Sequence, residues 1–336
     1  MFQALARTGR RPALLGGTAA FVVVALLLWW LLPLGDESPS GEIKFSTGTP
    51  TGVYQTYGDL LRQAAAEDMP DLKVRLLNSD GSQDNVRRVA TGEADFSIAA
   101  ADAVETYKHH RGKGADRLRG CARLYDDYVH LVVPEHSKVR SVAGLRGKRV
   151  AVGPDGSGVR LIADRVLKAA GLDPRTDIVP LPDGIKTMPE KLERDRIDAF
   201  FWSGGLPTSA VTTLSDRFPV RLVPIDGEVV KNLQAQAVAG ITAARYYRAA
   251  VIPANAYPKA QQGSPVPTVA VANLLITRED TDEDLTEALT RTVIDSRDSI
   301  GEKVHAAQRV DLRTALYTDP LDLHEGAKRY YRSVKP

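Results

Sequence analysis

The chain has 336 residues, of which 43% are hydrophobic and 26% charged, and this length allows two domains with their own cores. The 44 basic and 42 acidic residues leave a net charge of +2, which gives no sign of a nucleic-acid-binding surface. Cys121 is the only cysteine, so the chain forms no intramolecular disulfide and no thiolate metal cluster.

The N-terminal part predicts a membrane segment. Residues 1–12 contain arginines and no acid, and residues 13–34 carry no charged side chain over a length that spans the hydrocarbon core of a bilayer. The arginines place the N-terminus in the cytoplasm, and Trp29 and Trp30 suit the far interface. The sequence favours an uncleaved single-pass anchor, with a cleaved signal sequence and a secreted protein as the alternative. In both cases the chain beyond the polar linker 35–42 is expected outside the cytoplasm.

Strands and helices then alternate. Strands are predicted at IKFST, LKVRLLN and DFSIAAAD, with the helices YGDLLRQAAAE and DNVRRVATGEA between them. A second series has the strands YVHLVVP, KRVAVG, DIVPLP and IDAFFW and the helices GVRLIADRVLKAAGL and MPEKLERDR. This alternation is typical of α/β domains with parallel sheets.

Two segments rich in β-branched residues, RLYDDYVHLVVP and VPTVAVANLLIT, flank the second series. We predict that they are hinge strands, by which the chain crosses into a second lobe and returns. The predicted first lobe comprises residues 43–128 and 226–336, and the second comprises residues 129–225. Such an arrangement leaves a cleft between the lobes, where ligand pockets commonly lie.

The loop after the first strand is rich in hydroxyl groups and glycines. Thr47, Gly48, Thr49 and Thr51 stand between IKFST and a helix, and Tyr54 lies at the start of that helix. Ligands of α/β sheets bind at the carboxyl ends of strands and at helix N-termini, where free N–H groups suit a carboxylate or phosphate. An ordinary helix N-cap needs only one side-chain hydroxyl, whereas this loop has three threonines. The loop is therefore interpreted as a ligand-binding loop.

The same layout recurs twice. Ser82 and Asn85 follow the second strand, and Ser157 with Gly158 follows KRVAVG, so loops of both lobes are expected to face one anion-binding cleft. Trp202 ends a strand before a Ser-Gly-Gly loop; it is expected either to wall the cleft or to belong to the core.

No catalytic residue is predicted. Ser157 lacks the G-x-S-x-G pattern of a hydrolase, because Asp155 and Val159 stand where that pattern has glycines. No lysine of a P-loop follows the first glycine loop, and the histidines lack the spacing of metal ligands. We therefore expect no metal and no cofactor.

These motifs resemble the TAXI-type solute receptors of TRAP transporters. The resemblance is carried by STGTPTGVYQTYGDLL, GSQDNVRRVATGEADFSIAAAD, GKRVAVGPDGSGVRLIADRVLKAAGL and RIDAFFWSGGLPTSAV, and it covers most of residues 43–300. It implies a type II periplasmic-binding-protein fold that captures a small, glutamate-like organic acid for a membrane permease. The ligand residues implied by matching motifs are Thr47, Gly48, Thr49, Thr51, Tyr54, Ser82, Asn85, Asp102, Ser157, Gly158, Trp202 and Gly204.

Two uses of this cleft are consistent with the sequence. In the first, the lobes close on a small carboxylate and the receptor delivers it to a permease, with no bond made or broken. In the second, a membrane sensor kinase reads the same closure. The predicted anchor at residues 13–34 is compatible with both.

Overall fold

A computed structural model gives the fold of residues 38–50, 52–238 and 240–334. The strands of these residues are β1 (Gly41–Ser46), β2 (Leu72–Leu77), β3 (Phe96–Ala100), β4 (Leu118–Pro134), β5 (Arg149–Ala151), β6 (Val179–Leu181), β7 (Ala199–Gly204), β8 (Val220–Leu222), β9 (Arg248–Ile252) and β10 (Val266–Arg278). The strands that the sequence predicts correspond to β1 to β7 and to β10.

The helices of the described residues connect these strands. They are α1 (Val53–Asp68), α2 (Ser82–Thr91), α3 (Ala101–His109), α4 (Gly158–Ala169), α5 (Met188–Glu193), α6 (Ser209–Arg217), α7 (Gly227–Val238), α8 (Pro258–Gln261), α9 (Glu283–Asp295), α10 (Arg297–Gly301), α11 (Leu312–Ala315) and α12 (Glu325–Ser333). None of the helices within the described ranges is both long and apolar enough to cross a membrane. The membrane segment predicted at residues 13–34 lies outside those ranges.

The strands form one mixed sheet in the order β2-β1-β3-β10-β4-β7-β5-β6. The group β2-β1-β3 is parallel and forms, with its helices, lobe 1. The group β7-β5-β6 is also parallel and forms lobe 2. Each lobe is therefore an α/β unit, and together they form the two-lobed type II fold of periplasmic binding proteins.

The long antiparallel strands β4 and β10 join the lobes. Residues 273–276 of β10 pair with β3 in lobe 1, whereas residues 128–132 of β4 pair with β7 in lobe 2. The two strands also pair with each other over most of their length, with Val271 opposite Asp127. These are the crossing strands that the β-branched segments predict.

Helix α4 shows how the sequence positions a ligand loop. Ser157 caps the helix by accepting a hydrogen bond from the backbone N–H of Arg160 at 3.1 Å. Ile162 and Val166 lie on the buried face, and each such side chain stabilises the fold by about 1.5–3 kcal/mol when fully buried. Gly171, with φ +75°, follows the helix C-terminus in the left-handed conformation that suits glycine. The helix N-terminus is thereby fixed at the sheet edge.

Helix α7 departs from the predicted domain boundaries, which assign residues 226–336 to lobe 1. Its residues Val229, Val230 and Leu233 share the hydrophobic core of lobe 2. Asn232 also donates a hydrogen bond to the carbonyl of Ala169 at the end of α4, at 2.9 Å. The chain therefore stays with lobe 2 beyond residue 226, until β10 carries it back.

Candidate ligand site

A cavity lies between the two lobes at the carboxyl ends of their parallel strands. The volume of the cavity that the centre of a water molecule can occupy is about 80 Å³. A small solute fits in this space. Asp127 and Val271 of the crossing strands contribute to its lining. The lobe 1 lining is Gly48, Thr49, Gly52, Val53, Tyr54, Asp80, Gly81, Ser82, Ala100 and Asp102, and the lobe 2 lining is Gly153, Pro154, Ser157, Gly158, Val159, Ile162, Gly184, Ile185, Met188, Trp202 and Ser203.

A hydroxyl network lines the lobe 1 side. Tyr54 Oη donates to Asn273 Oδ1 at 2.5 Å and lies 2.9 Å from Ser82 Oγ. Ser82 Oγ in turn accepts a hydrogen bond from the backbone N–H of Ala100 at 3.2 Å. Burial and the nearby charge of Asp127 raise the pKa of Tyr54 well above its ordinary value. The tyrosine therefore stays protonated and acts as a neutral hydrogen-bonding group.

Two helix N-termini reach the cavity from opposite lobes. Val53 and Tyr54 begin α1 in lobe 1, and Gly158 and Val159 begin α4 in lobe 2. Within the described ranges, no residue accepts a hydrogen bond from the backbone N–H groups of these four residues. Such N–H groups and the positive ends of the helix dipoles favour an anionic group.

The lobe 2 side is otherwise mainly apolar. Ile162, Ile185, Met188 and Trp202 line it. The indole N–H of Trp202 is already used, because it donates to Thr208 Oγ1 at 3.1 Å. The indole therefore offers its apolar surface to a solute, as expected for a side chain that walls the cleft.

Asp102 belongs to a buried ion-pair cluster that joins the lobes. Its Oδ2 accepts a hydrogen bond from Tyr247 Oη at 2.6 Å and lies 3.4 Å from Arg165 Nη1 of α4. Arg165 also donates to Tyr247 Oη and to Thr106 Oγ1, each at 2.7 Å. Burial raises the pKa of Asp102, while the charge of Arg165 opposes that rise. The second oxygen, Oδ1, is buried and has no hydrogen-bond partner among the described residues.

The lobes also touch directly at the cavity edge. Gln83 Nε2 of α2 donates to the carbonyl of Ser157 at 2.7 Å. The carbonyl of Gly156 accepts from the backbone N–H groups of Gln83 and Asp84 at 3.1 and 3.3 Å. The backbone N–H groups at the N-terminus of α2 thus donate to a carbonyl of lobe 2 and are not free for a ligand. In this respect α2 differs from α1 and α4.

Comparison with known proteins identifies the chain's relatives. Residues 45–334 match the NMT1-like family, and this span contains every residue that lines the cavity. The chain belongs to the NMT1-like family. Its members are solute receptors of the periplasmic-binding-protein type.

Solved structures similar to this NMT1-like protein include a putative L-cystine ABC transporter from Listeria monocytogenes, at 14% identity and a TM-score of 0.49 over 80% of this chain and 98% of that one. An ancestral arginine-binding protein bound to glutamine has 16% identity and a TM-score of 0.47, with coverage of 80% and 99%. The alkanesulfonate-binding protein from Xanthomonas axonopodis pv. citri, bound to MOPS, has 14% identity and a TM-score of 0.43, with coverage of 83% and 97%. Likenesses this distant transfer no ligand to the NMT1-like protein, whose fold follows from its own strand order.

The structure brings most of the predicted ligand residues to the cavity. Those that line it are Gly48, Thr49, Tyr54, Ser82, Asp102, Ser157, Gly158 and Trp202. Thr51 lies outside the described residues. Thr47, Asn85 and Gly204 lie close by but behind the lining.

Thr47 and Asn85 hold the lobe 1 loops from behind. Asn85 donates to the carbonyls of Thr47 and Ile98 at 2.6 and 2.8 Å, and it accepts from Ser46 Oγ and Ser79 Oγ at 2.7 Å each. The Thr47 hydroxyl lies 2.5 Å from Gln55 Oε1, in α1. Both side chains are fully buried, so they position the loops of this NMT1-like protein.

Gly204 allows a close approach of Trp202. A Cβ atom at Gly204 would lie 2.5 Å from the indole nitrogen, which is too near for any side chain. The absence of a side chain lets the indole reach Thr208 and keep its orientation.

Several cavity residues were not predicted from the sequence. Ile185 and Met188 are apolar residues at the start of α5, and the sequence does not distinguish them from core residues. Asp127 is one of two adjacent acids that the sequence does not distinguish from each other. Arg165 and Tyr247, which engage Asp102, lie 63 and 145 residues from it along the chain. No described group of three His, Cys, Asp or Glu residues has the geometry of a metal site.

Proposed function

We propose that this NMT1-like protein is an extracytoplasmic receptor that encloses a small organic acid between its lobes and delivers it to a membrane permease. The observation that carries the proposal is the cavity into which the N-termini of α1 and α4 open from opposite lobes. A carboxylate there would accept hydrogen bonds from both lobes, so the closed arrangement would bind it better than an open one. Ligand-driven closure requires such a differential affinity.

The remaining lining supports a small, partly apolar solute. Thr49 and Ser82 offer hydroxyl groups on the lobe 1 side, while Ile185, Met188 and Trp202 offer apolar contacts on the lobe 2 side. A cavity of about 80 Å³, measured for the centres of water molecules, matches a ligand of few carbon atoms. A glutamate-like acid and a permease of the TRAP type, which the resemblance implies, are the specific form of this proposal.

The experiment is a binding screen of purified full-length protein, freed of carried-over solute by dialysis from denaturant. Mono- and dicarboxylic acids of two to six carbons, and their α-amino derivatives such as L-glutamate, are titrated by calorimetry and by tryptophan emission. We expect one class of acid to bind one to one and to change the emission. The variant Trp202→Phe should keep a calorimetric signal and lose the ligand-dependent change in emission. If no acid binds, the carboxylate proposal is overturned.

Thr49→Val tests the contribution of the lobe 1 loop. The variant removes the hydroxyl and keeps the shape of the side chain, so the affinity for the bound acid should fall by roughly 3- to 10-fold, as for one hydrogen bond. Thr213→Val, at an exposed position of α6, is the matched control and should bind like the wild type. Equal affinity of both variants would remove Thr49 from the ligand contacts.

We further propose that residues 13–34 tether the receptor to the membrane, with the cleft outside the cytoplasm. The support is the uncharged length of this segment and the arginines that precede it. Alkaline carbonate extraction of cell membranes, followed by N-terminal sequencing, tests it. An intact N-terminus in the membrane fraction is expected, and a soluble product that begins after residue 34 would contradict the tether.

A further inference from the structure

A chain of hydrogen bonds runs along the lobe 1 wall of the cavity to the crossing strands. The backbone N–H of Ala100 donates to Ser82 Oγ at 3.2 Å, and Ser82 Oγ lies 2.9 Å from Tyr54 Oη. The Tyr54 hydroxyl donates to Oδ1 of Asn273, on β10, at 2.5 Å. Ser82 and Tyr54 line the cavity, whereas Asn273 is fully buried behind them. The two hydroxyl groups that face the solute therefore already have partners within the protein.

Asp127 fixes the orientation of the Asn273 amide. The two side chains form a hydrogen bond that lowers the pKa of the Asp127 carboxyl against the effect of burial, so the bond favours the ionised form. Because an ionised carboxylate only accepts hydrogen bonds, the amide turns its N–H side to Asp127. The amide oxygen is left for Tyr54, in agreement with the donation from the hydroxyl group. The buried acid thus sets the direction of the chain.

This direction uses every hydroxyl proton in the chain. A hydroxyl group has one proton to donate and two lone pairs that accept. The proton of Tyr54 goes to Asn273, so the proton between Tyr54 and Ser82 comes from Ser82. Tyr54 thus accepts one hydrogen bond from Ser82, and Ser82 accepts one from the N–H of Ala100. One lone pair on each oxygen remains for the solute, and no proton remains.

The charged residues of the lining add no donor at this wall. Asp102 and Asp127 are its charged side chains on lobe 1 and the crossing strands, and carboxylates accept hydrogen bonds. Among the described residues that line the cavity there is no lysine, arginine or histidine. The N-termini of α1 and α4 can donate to a carboxylate, but a solute group beside Ser82 and Tyr54 must itself be a donor.

We propose that the solute of this cleft is a hydroxy acid, that its hydroxyl group donates to the Ser82–Tyr54 pair, and that Asp127 and Asn273 determine this preference. The inference rests on the proposed function, because it assigns the carboxylate of the solute to the helix N-termini. Asn273 acts through Tyr54 and is a positioning residue. An oxo acid would bring a carbonyl oxygen against lone pairs, and sites built for a substrate hydroxyl reject analogues that lack it.

The test uses matched sets of three acids on the full-length protein. Each set consists of a hydroxy acid, the oxo acid with a carbonyl group at the same carbon, and the acid with neither group. The sets are lactate, pyruvate and propionate; 3-hydroxybutyrate, acetoacetate and butyrate; and 2-hydroxyglutarate, 2-oxoglutarate and glutarate. Both enantiomers of each hydroxy acid are measured, and L-glutamate is included for comparison. Calorimetry is done at pH 8, where the Asp127 carboxyl, with a pKa of about 7, is mostly ionised.

Two variants test whether Asp127 sets the preference. In the wild type, the hydroxy acid of the binding set should bind at least about tenfold more tightly than its oxo acid. In Asp127→Asn the amide of Asn273 is free to turn and Tyr54 can donate to the solute, so this ratio should fall below about threefold. In the double variant Asp127→Asn with Asn273→Asp, the carboxylate and the amide exchange places. The carboxylate at position 273 again only accepts from Tyr54, and the ratio should return to the value of the wild type.

The ratio separates this role from a structural one. If Asp127 only supported the fold, its loss would weaken both acids alike and leave their ratio unchanged. Asp126→Asn, one residue away but outside the cavity lining, should keep the ratio of the wild type. Tyr54→Phe keeps the ring and removes the acceptor, so it should lower the ratio below about threefold even if Asp127→Asn does not fold. Urea unfolding shows which variants are folded.

The outcomes distinguish the two proposals. A hydroxy acid that binds best, with a preference lost in Asp127→Asn or Tyr54→Phe and restored in the double variant, supports this inference. Binding of an oxo acid, an unsubstituted acid or L-glutamate as tightly as every hydroxy acid overturns it and leaves the proposed function intact. A preference that persists in folded Asp127→Asn or in Tyr54→Phe overturns its assignment to the hydrogen-bond chain. If no acid binds, both proposals are overturned.

Discussion

Arg165 in α4 of lobe 2 and Asp102 in α3 of lobe 1 form a buried ion pair across the two lobes, with Arg165 Nη1 3.4 Å from Asp102 Oδ2. Tyr247 bonds to both partners, so three distant parts of the chain meet at this point. Because the pair joins the lobes, their separation must break it. Asp102 thus has a structural partner on one oxygen, while its other oxygen is buried without a hydrogen-bond partner among the described residues.

Arg165→Met should be strongly destabilising. The substitution keeps much of the apolar stem but leaves Asp102 buried without its counter-charge, and removal of one partner of a buried pair costs about 3–5 kcal/mol. Urea unfolding measures the loss. Arg160→Met, on the same helix, removes ion pairs to Asp164 and Asp155 that are open to solvent, and should cost less than about 1 kcal/mol. Similar losses of unfolding free energy in both variants would show that the buried Arg165–Asp102 pair stabilises the fold no more than an exposed ion pair does.

Gln83→Ala tests the direct contact between the lobes. Its Nε2 donates to the Ser157 carbonyl at 2.7 Å, and this hydrogen bond exists only when the lobes are together. Loss of one such bond, worth about 0.5–1.5 kcal/mol, should weaken binding of the solute by roughly 2- to 10-fold, because closure becomes less favourable. Calorimetry with the acid that the wild type binds gives the ratio of the dissociation constants of Gln83→Ala and the wild type.

The control for that variant is Gln262→Ala. Gln262 donates to Glu135 at 2.7 Å, but both residues lie on the outer part of lobe 2 and do not bridge the cleft. The Gln262→Ala variant should bind the solute with the same affinity as the wild type. If Gln262→Ala lowers the affinity as much as Gln83→Ala does, the effect does not arise from closure.

The parts of the site that could be predicted from sequence are those set by the ends of parallel strands. Gly48, Thr49, Ser82 and Gly158 follow strands whose periodicity is clear, and strand ends in an α/β sheet share one edge. Asp127 could not be predicted, because adjacent residues of a strand face opposite sides. Only the cavity lining, which contains Asp127 and its β10 partner Val271 but not Asp126, shows which of the two acids faces the cavity.

The roles of Asn85 and α7 show a second limit. A serine- and glycine-rich turn with an asparagine suits a ligand and a loop scaffold equally, and only the contacts with Ile98 and Ser46 show that Asn85 is a scaffold residue. Likewise, the apolar face of α7 could pack on either lobe as far as its sequence pattern shows. It packs on α4 because the chain re-enters lobe 1 only at β10, and local sequence patterns do not indicate that position.

Asn85→Ala should therefore act mainly on stability. The variant removes four buried hydrogen bonds, and the groups left unpaired each cost about 1–3 kcal/mol, partly offset by relaxation. We expect a loss of about 2–4 kcal/mol in urea unfolding. Asn232→Ala, which removes one partly buried hydrogen bond, should lose only about 1 kcal/mol. Comparable losses would mean that the loops do not depend on Asn85.

The pH dependence of stability provides an independent measurement on Asp127. Burial raises its pKa to about 7, with smaller contributions from the charges of Asp126 and Asp102, whereas the unfolded chain has the ordinary value near 3.9. Between these values the folded protein binds the proton and the unfolded chain does not. This contribution to stability is full below about pH 4 and is lost as the pH rises to 7, by at most about 1.4 kcal/mol per pH unit.

Asp127→Asn removes this titration while the other ionisable groups near it, Asp102, Asp126, Tyr54 and Tyr125, remain. The difference in unfolding free energy, wild type minus variant, should therefore fall steadily between pH 4.5 and 7 and stay constant above it. Urea unfolding of the wild type and of Asp127→Asn at half-unit steps of pH measures this difference. A flat curve for Asp127→Asn would mean that the carboxyl is ionised throughout this range, and that its charge already has a partner within the protein.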